Sequence, residues 1–172
     1  MKFRSISEQE FNSYEGCRQI IAEEHAHQFA ALDLDGTLGS YGLGWNSSKI
    51  IEPELELSPD GITAWIGINQ YVAAINLSTG HICVAVKFHT NILEIIALER
   101  LTAVRAETEV LLFNPDCTIF FNECFSDITE ELSFVNNKLE IRFLEGYSLM
   151  VDLQTGSIIS DSAAIATTFT HR

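Results

Sequence analysis

The stretch from Glu54 to Val86 reads ELELSPDGITAWIGINQYVAAINLSTGHICVAV, and its pattern decides the fold class. Four short runs rich in β-branched, aromatic and other apolar residues are separated by the turn segments "PDG", "INQ" and "LSTG". Short runs of this kind, bounded by glycine, proline, aspartate and asparagine, are typical of β-strands. The stretch therefore predicts four strands joined as a meander.

The same arrangement recurs twice. "ITAW" at 62–65 returns 39 residues later as "LTAV", and three residues head matching turns 38 residues apart: Asn76, Asn114 and Asp152. "YVAAI" and "EVLLF" are apolar on both faces, which predicts central strands covered on both sides. Residues 28–172 are therefore predicted to form an antiparallel β domain of repeated four-stranded meanders with a period of about 38 residues. The predicted repeats are 52–90, 91–129 and 130–161.

Four-stranded units of this period resemble the blades of β-propellers, and "NLSTG" and "DLQTG" resemble the turns that close quinoprotein-type blades. The resemblance spans residues 52–161. The Gly-His and Trp-Asp signatures of WD repeats are absent, and the second unit has Pro115-Asp116-Cys117-Thr118 in place of the glycine pattern. Propellers usually start at four blades. Either residues 28–45 supply a degenerate fourth unit, or the meanders fold as a sandwich or open barrel.

Residues 1–27 have a different character. Ser5 or Ser7 can cap a helix, and apolar side chains follow at spacings of three and four: Phe11, Tyr14, Cys17 and Ile20/Ile21. This pattern predicts one amphipathic helix from about residue 7 to residue 25, weakened at Gly16. The glycine-rich segment "GSYGLGW" at 39–45 lacks a phosphate-loop Lys-Ser/Thr and is predicted to be a flexible turn.

The charge balance limits the choice of partners. Ten Lys and Arg face 24 Asp and Glu, which gives a net charge of −14 and a pI near 4.6. Nucleic acid and anionic membranes would be repelled by most of this surface, so we expect neither as a partner. The N-terminus lacks the apolar run of a secretory signal, and we expect a cytoplasmic protein without a cofactor.

One motif suggests an enzyme. Asp33-x-Asp35-Gly36-Thr37 resembles the first motif of the haloacid-dehalogenase phosphatases. That resemblance implies that Asp33 attacks phosphorus, that Asp35 acts as acid and base, and that Mg²⁺ is required. The partner lysine, the later acidic pair and the crossover helices of that fold are not recognisable, whereas Asp35-Gly36 is a favoured two-residue hairpin turn. We therefore favour the hairpin and keep the phosphatase as an alternative.

The sequence gives no metal-site spacing. Four cysteines are predicted to be buried free thiols, because none forms C-x-x-C or pairs with histidine at zinc spacing: Cys17, Cys83, Cys117 and Cys124. His25-x-His27 is predicted to be a surface pair at a helix end, and His81 and His89 flank one strand without a nearby carboxylate. We expect no metal.

One stripe of charge suggests a binding surface. Glu52, Glu54 and Glu56 alternate with apolar residues in "IIEPELELS", so a strand here would carry its carboxylates on one face. They are either a surface that steers a basic protein or charges that protect an edge strand from aggregation.

These observations favour a non-enzymatic acidic module that binds another, basic protein. In size and charge it is similar to the class of small acidic bacterial immunity proteins, which neutralise basic toxins. The alternatives are the Mg²⁺-dependent phosphatase using Asp33 and Asp35, and a propeller-like structural module that oligomerises.

Overall fold

A computed structural model describes residues 1–34, 38–46 and 53–159 of the chain. The described residues contain one short α-helix, α1 (Glu8–Ser13), and sixteen strands in four four-stranded sheets, which we label I to IV. Sheet I contains β1 (Lys2–Ser5), β2 (Gln19–Ala22), β3 (Gln28–Asp33) and β4 (Ser40–Trp45). No described helix is long and apolar enough to cross a membrane.

The other three sheets are consecutive meanders. Sheet II contains β5 (Glu54–Leu57), β6 (Thr63–Ile68), β7 (Tyr71–Asn76) and β8 (Ile82–Lys87). Sheet III contains β9 (Ile92–Ala97), β10 (Thr102–Ala106), β11 (Glu109–Phe113) and β12 (Ile119–Cys124). Sheet IV contains β13 (Thr129–Val135), β14 (Lys138–Phe143), β15 (Ser148–Asp152) and β16 (Ile158–Ile159). The mainly β fold and the three predicted four-stranded repeats are confirmed.

The predicted periodicity is visible in the turn chemistry. Asn76 Oδ1 accepts the backbone N–H groups two and three residues ahead, at 2.9 and 3.0 Å, and Asp152 Oδ1 does the same at 2.7 and 3.1 Å. Gly80 and Gly156 then take φ values of +72° and +69°, which glycine adopts without steric cost. In sheet III the turn is one residue shorter, and Cys117 takes the positive φ of +67° three residues after Asn114.

The sheets are stacked face to face. Three clusters of buried apolar residues join sheets I and II, II and III, and III and IV. Between sheets II and III the rings of Trp65 and Phe113 have their centroids 4.9 Å apart. All five residues of β11 are buried, as the sequence predicted for a strand covered on both sides. The propeller-like arrangement of blades therefore holds for the described residues.

Sheet I is the fourth unit, but its topology differs from a meander. Its spatial order is β1-β3-β4-β2, and β2 runs parallel to β4. Residues 28–45 supply β3 and β4, as one alternative predicted, while β1 and β2 come from residues 1–27. The predicted flexible turn at 39–45 is wrong, because Ser40–Trp45 is the strand β4.

The N-terminal helix is shorter than predicted. It begins where expected, since Ser7 Oγ accepts the Glu10 N–H at 3.1 Å as an N-cap. It ends at Ser13, because Tyr14 is extended with φ −70° and ψ 139°. The prediction that it continues to residue 25 is wrong: Ile20 and Ile21 lie in β2, where β-branched side chains are favoured.

The two ends of the stack are covered differently. Helix α1 lies on the outer face of sheet I, where the rings of Phe11 and Phe29 have centroids 5.3 Å apart. Gly42 leaves room for this contact, since a Cβ there would lie 2.9 Å from Phe11 Cδ2. The outer face of sheet IV is polar, with Lys138, Glu140 and Arg142 alternating with buried residues. No buried apolar cluster joins sheets IV and I among residues 1–34, 38–46 and 53–159.

We expect Phe11→Ala to lower the free energy of unfolding by about 3 kcal/mol, because truncating a buried phenylalanine removes apolar contact and leaves a cavity. Phe11 is 6% exposed. Urea denaturation followed by circular dichroism measures the loss. Val135→Ala, at a site 52% exposed on sheet IV, is the control and should change stability by less than about 0.5 kcal/mol. Equal effects of the two substitutions would show that α1 does not stabilise sheet I.

Candidate functional site

Asp33 lies at the end of β3 in an antiparallel environment. Strand β3 pairs antiparallel with both β1 and β4, and the Leu34 N–H donates to the Gly39 carbonyl at 3.1 Å. Strands β3 and β4 are therefore paired as an antiparallel hairpin. The predicted two-residue turn at Asp35-Gly36 lies outside the described residues.

The Asp33 carboxylate is engaged in local contacts. Ser40 Oγ donates to Oδ1 at 2.5 Å, and Arg4 Nε donates to Oδ2 at 3.3 Å. The Ser40 hydrogen bond, followed by the hydrogen bond and charge of Arg4, lowers the pKa of Asp33. These contacts give Asp33 a structural role in joining β1, β3 and β4. A nucleophilic role would require the carboxylate to leave them.

The acidic stripe is only partly described, because Glu52 lies outside the described residues. Glu54 and Glu56 stand opposite Gly67 and Trp65 in the β5–β6 ladder, and Glu54 Oε1 accepts the Ile95 N–H of sheet III at 3.3 Å. Burial, the largest cause, raises the pKa of Glu54. The two carboxylates thus lie on the side of β5 that faces sheet III. Their role as a recognition surface stays a prediction.

The turns of sheets II, III and IV form one edge of the stack, which we call the turn face. It comprises the β5–β6, β7–β8, β9–β10, β11–β12, β13–β14 and β15–β16 connections, at 58–62, 77–81, 98–101, 114–118, 136–137 and 153–157. The opposite edge carries the linkers from one sheet to the next, and we call it the linker face. Backbone hydrogen bonds hold the II–III and III–IV linkers to the preceding hairpins: Phe88 N–H to Gln70 O at 2.7 Å, and Phe125 N–H to Thr108 O at 2.8 Å.

Two adjacent grooves open on the turn face. The first lies between sheets II and III, has a volume of about 310 Å³ and is lined by Pro59, Asp60, Trp65, Leu98 and Pro115 among others. The second lies between sheets III and IV, has a volume of about 330 Å³ and is lined by Leu98, Arg100, Phe120, Phe134 and Leu153 among others. Both grooves share Leu98, Glu99, Leu101 and Asn114, so the β9–β10 turn separates them.

The rims of the grooves carry carboxylates. Asp60 Oδ1 accepts from Ser58 Oγ at 2.6 Å and from the Ile62 N–H at 2.9 Å, and these bonds lower the pKa of Asp60. Asp116 is held in the same way by Thr118, whose hydroxyl donates at 2.6 Å, and its pKa is also lowered. Both groups are therefore ionised at neutral pH and fixed in orientation. No local sequence pattern predicts these grooves, because their walls come from different repeats.

The cysteines differ from the sequence prediction. Cys17 and Cys124 are exposed, and Cys83 and Cys117 are half-buried, so the prediction of buried thiols is wrong for the exposed pair. Cys83 and Cys117 lie together against the core between sheets II and III. Burial, together with the neighbouring Cys83 thiol, raises the pKa of Cys117 to about 12. A thiol with so high a pKa is a weak nucleophile at neutral pH.

No protein-family model and no curated protein matches the sequence. Among solved structures, the chain is similar to the computationally designed Ika4 protein, with 13% identity and a TM-score of 0.52 over 67% of this chain and 76% of Ika4. The designed Ika8 protein matches with 14% identity and a TM-score of 0.53 over 82% of this chain and 47% of Ika8. The Myceliophteria thermophila Cps50 (Swd1) β-propeller domain matches with 13% identity and a TM-score of 0.49, over 66% of this chain and 40% of that domain. These similarities concern the fold.

We expect Asp33→Asn to lower stability at pH 7 by about 1–2 kcal/mol, because the charge-assisted hydrogen bonds from Ser40 and Arg4 are weakened. The folded pKa lies below the ordinary value of 3.8, so this contribution is present above that pH and is lost as the pH falls through the lowered pKa. Urea unfolding of both proteins at pH 7 and near pH 2.5 measures it. An equal difference at both pH values would contradict the assignment. Mg²⁺-dependent phosphate-ester hydrolysis lost in the variant would favour the phosphatase.

We expect Cys117 and Cys83 to be alkylated by iodoacetamide far more slowly than Cys17, since the reagent requires an exposed thiolate. Because the folded pKa of Cys117 is about 12 against an ordinary 9.0, the folded state holds this proton more tightly than the unfolded state. The contribution of this proton to the free energy of unfolding is complete below pH 9.0 and is lost as the pH rises towards 12. Mass spectrometry of timed samples measures the alkylation order. Alkylation of Cys117 before Cys17 would contradict the structure.

Proposed function

We propose that this chain is a non-enzymatic module that binds a basic protein on its turn face. The observation that carries the proposal is the pair of adjacent grooves separated by the β9–β10 turn. Each groove combines aromatic and aliphatic walls with a few oriented polar groups, as sites for inserted side chains do. Leu98 is 36% exposed and belongs to both grooves, so it lies at the centre of the surface.

The charge of the chain supports a basic partner. Asp60 and Glu99 line the first groove, Asp116 stands on the same turn face, and the whole chain carries a net charge of −14. Carboxylates on the rim of an interface steer an oppositely charged partner and raise its association rate, whereas apolar anchors slow dissociation. The partner that fits is therefore a protein segment with lysine or arginine beside leucine or phenylalanine.

A toxin-neutralising role is the specific form of this function that we favour. Size and acidity support it, because a small protein that blocks a basic toxin needs a charged surface with apolar anchor points. A propeller-like structural module that oligomerises is the alternative, and the four stacked four-stranded sheets support it. A second copy on the outer face of sheet IV would meet polar side chains such as Arg142, which pairs with Glu130 at 3.0 Å.

The proposal predicts binding of a fluorescein-labelled peptide in which lysines alternate with leucine and phenylalanine. Stopped-flow anisotropy should show an association rate that falls as salt shortens the Debye length from about 10 Å at 0.1 M to about 3 Å at 1 M. Glu99→Lys should slow association, and Leu98→Asp should speed dissociation by about tenfold, because an apolar contact of roughly 1.4 kcal/mol is lost. A peptide with glutamates in place of the lysines should not bind.

Two further variants locate the surface. Glu145→Lys lies on the linker face in the β14–β15 turn and serves as the charge-matched control, which should bind like the parent protein. Glu56→Lys tests the acidic stripe, since a slower association in this variant alone would move the site to β5. Binding that survives both Glu99→Lys and Leu98→Asp would contradict the turn-face assignment. Light scattering of the same samples reports any oligomer.

A toxin test addresses the specific form. Where a basic toxin is encoded beside this gene, co-expression of the two proteins should restore growth, and co-expression with Leu98→Asp should not. Equal growth with the parent protein and with Leu98→Asp would show that protection does not depend on the turn face.

A further inference from the structure

A cluster of three possible metal ligands lies on the linker face, opposite the grooves. His89 belongs to the linker between β8 and β9, Glu109 begins β11, and Cys124 ends β12. One ligand atom from each residue lies within 4.8 Å of the other two. We propose that His89, Glu109 and Cys124 bind a Zn²⁺-class metal ion, with one coordination position open to solvent.

The residue types suit this class of metal. Zn²⁺ is bound by imidazole nitrogen, thiolate sulfur and carboxylate oxygen, and sites with three protein ligands leave a fourth position for water. Thiolate and imidazole together favour zinc and its neighbours over Mg²⁺ and Ca²⁺, which take oxygen ligands. The chemistry of the donor set therefore selects a borderline-soft divalent ion.

The geometry is close to that of a bound site. His89 Nδ1 lies 3.2 Å from Glu109 Oε2. Two ligand atoms at about 2.1 Å from a tetrahedral zinc lie about 3.4 Å apart, so this edge of the tetrahedron is almost formed. Glu109 and Cys124 are directly opposite in the β11–β12 ladder, which fixes the third ligand beside the first two.

The carboxylate is held in place by the backbone. The side chain of Glu109 is 7% exposed, and its Oε2 also accepts the backbone N–H of His89 at 3.1 Å. A second contact of this kind orients a ligating carboxylate and raises metal affinity. His89 is 81% exposed in its side chain, so an ion can reach the cluster from solvent.

The charges around the cluster favour a cation. Glu109 lies in the cluster, and Glu123 directly precedes Cys124 in β12. A divalent ion offsets these negative charges and stabilises the Cys124 thiolate. Binding then breaks the S–H bond, forms a metal–sulfur bond and releases one proton to the buffer. The ion would join the linker that leaves sheet II to two strands of sheet III.

Short-motif spacing predicted no metal site, because these three residues are far apart in the chain. The three residues are separated by 20 and 15 positions, which matches no short zinc motif. The structure also corrects the statement that His89 has no carboxylate partner, since Glu109 provides one across the sheet II–III junction.

Cobalt titration of the full chain tests the site. A chelator first removes any metal from the protein. The chelator is then removed in the presence of a non-coordinating reductant. Co²⁺ should bind at one equivalent and give a thiolate-to-cobalt charge-transfer band with the intense visible bands of tetrahedral cobalt. Zn²⁺ should displace it. Calorimetry in two buffers of different ionisation enthalpy should report release of about one proton per Zn²⁺.

Variants separate a built site from adventitious binding. Cys124→Ser should abolish the charge-transfer band, and His89→Ala should weaken Co²⁺ binding by at least about tenfold. Cys17→Ser is the matched control: its exposed thiol lies 3.8 Å from Glu15 Oε2, and its loss should change nothing. Circular dichroism confirms that each variant is folded.

Three outcomes would overturn the proposal. They are the absence of saturable binding at micromolar Co²⁺, a charge-transfer band that persists in Cys124→Ser, and a band that disappears in Cys17→Ser. The peptide experiment on the turn face uses other residues, so failure of either proposal is recognisable without the other.

Discussion

The structure depends on one constraint: the central strands of sheets II and III are apolar on both faces. Every residue of β6 and of β11 is buried, so a single meander of this kind cannot be stable in water by itself. Sheets II and III must therefore each have a neighbour on both sides. Inside the stack, sheets II and III have a neighbour on each side. At the two ends, α1 covers the outer face of sheet I, and the outer face of sheet IV carries charged side chains.

The predictable part of the fold is the part governed by local chemistry. Asn76 and Asp152 head turns whose hydrogen bonds stay within four residues, so the period of sheets II to IV can be predicted from the sequence. Sheet I was harder to predict because β2 pairs parallel with β4 across about twenty residues. The glycines of "GSYGLGW" suggested a turn, yet Gly42 is in a strand and makes room for Phe11. The role of Gly42 is visible only in the folded contact between β4 and Phe11.

The candidate sites also divide into those that local sequence patterns indicate and those that depend on contacts between distant residues. Both grooves and the metal cluster combine residues from different sheets or from a linker and a sheet, and no short motif links them. Asp33 shows the reverse case, in which a recognisable motif lies at a position where Ser40 and Arg4 already occupy its carboxylate. A motif carries functional meaning only where the fold leaves the side chain available. The antiparallel pairing of β3 gives Asp33 two structural partners instead.

The two proposed sites lie at opposite ends of one rigid strand. Glu109 begins β11 in the metal cluster, and Asn114, directly after β11, lines both grooves. Five residue steps along a strand span about 17 Å, which is about twice the Debye length of about 8 Å at physiological ionic strength. Both candidate sites open to solvent, so the charge of an ion at one is largely screened along the solvent path to the other. Since β11 is buried along its whole length and close-packed interiors deform little, the strand holds the two candidate sites at a fixed separation, and we expect binding at one to leave the geometry of the other unchanged.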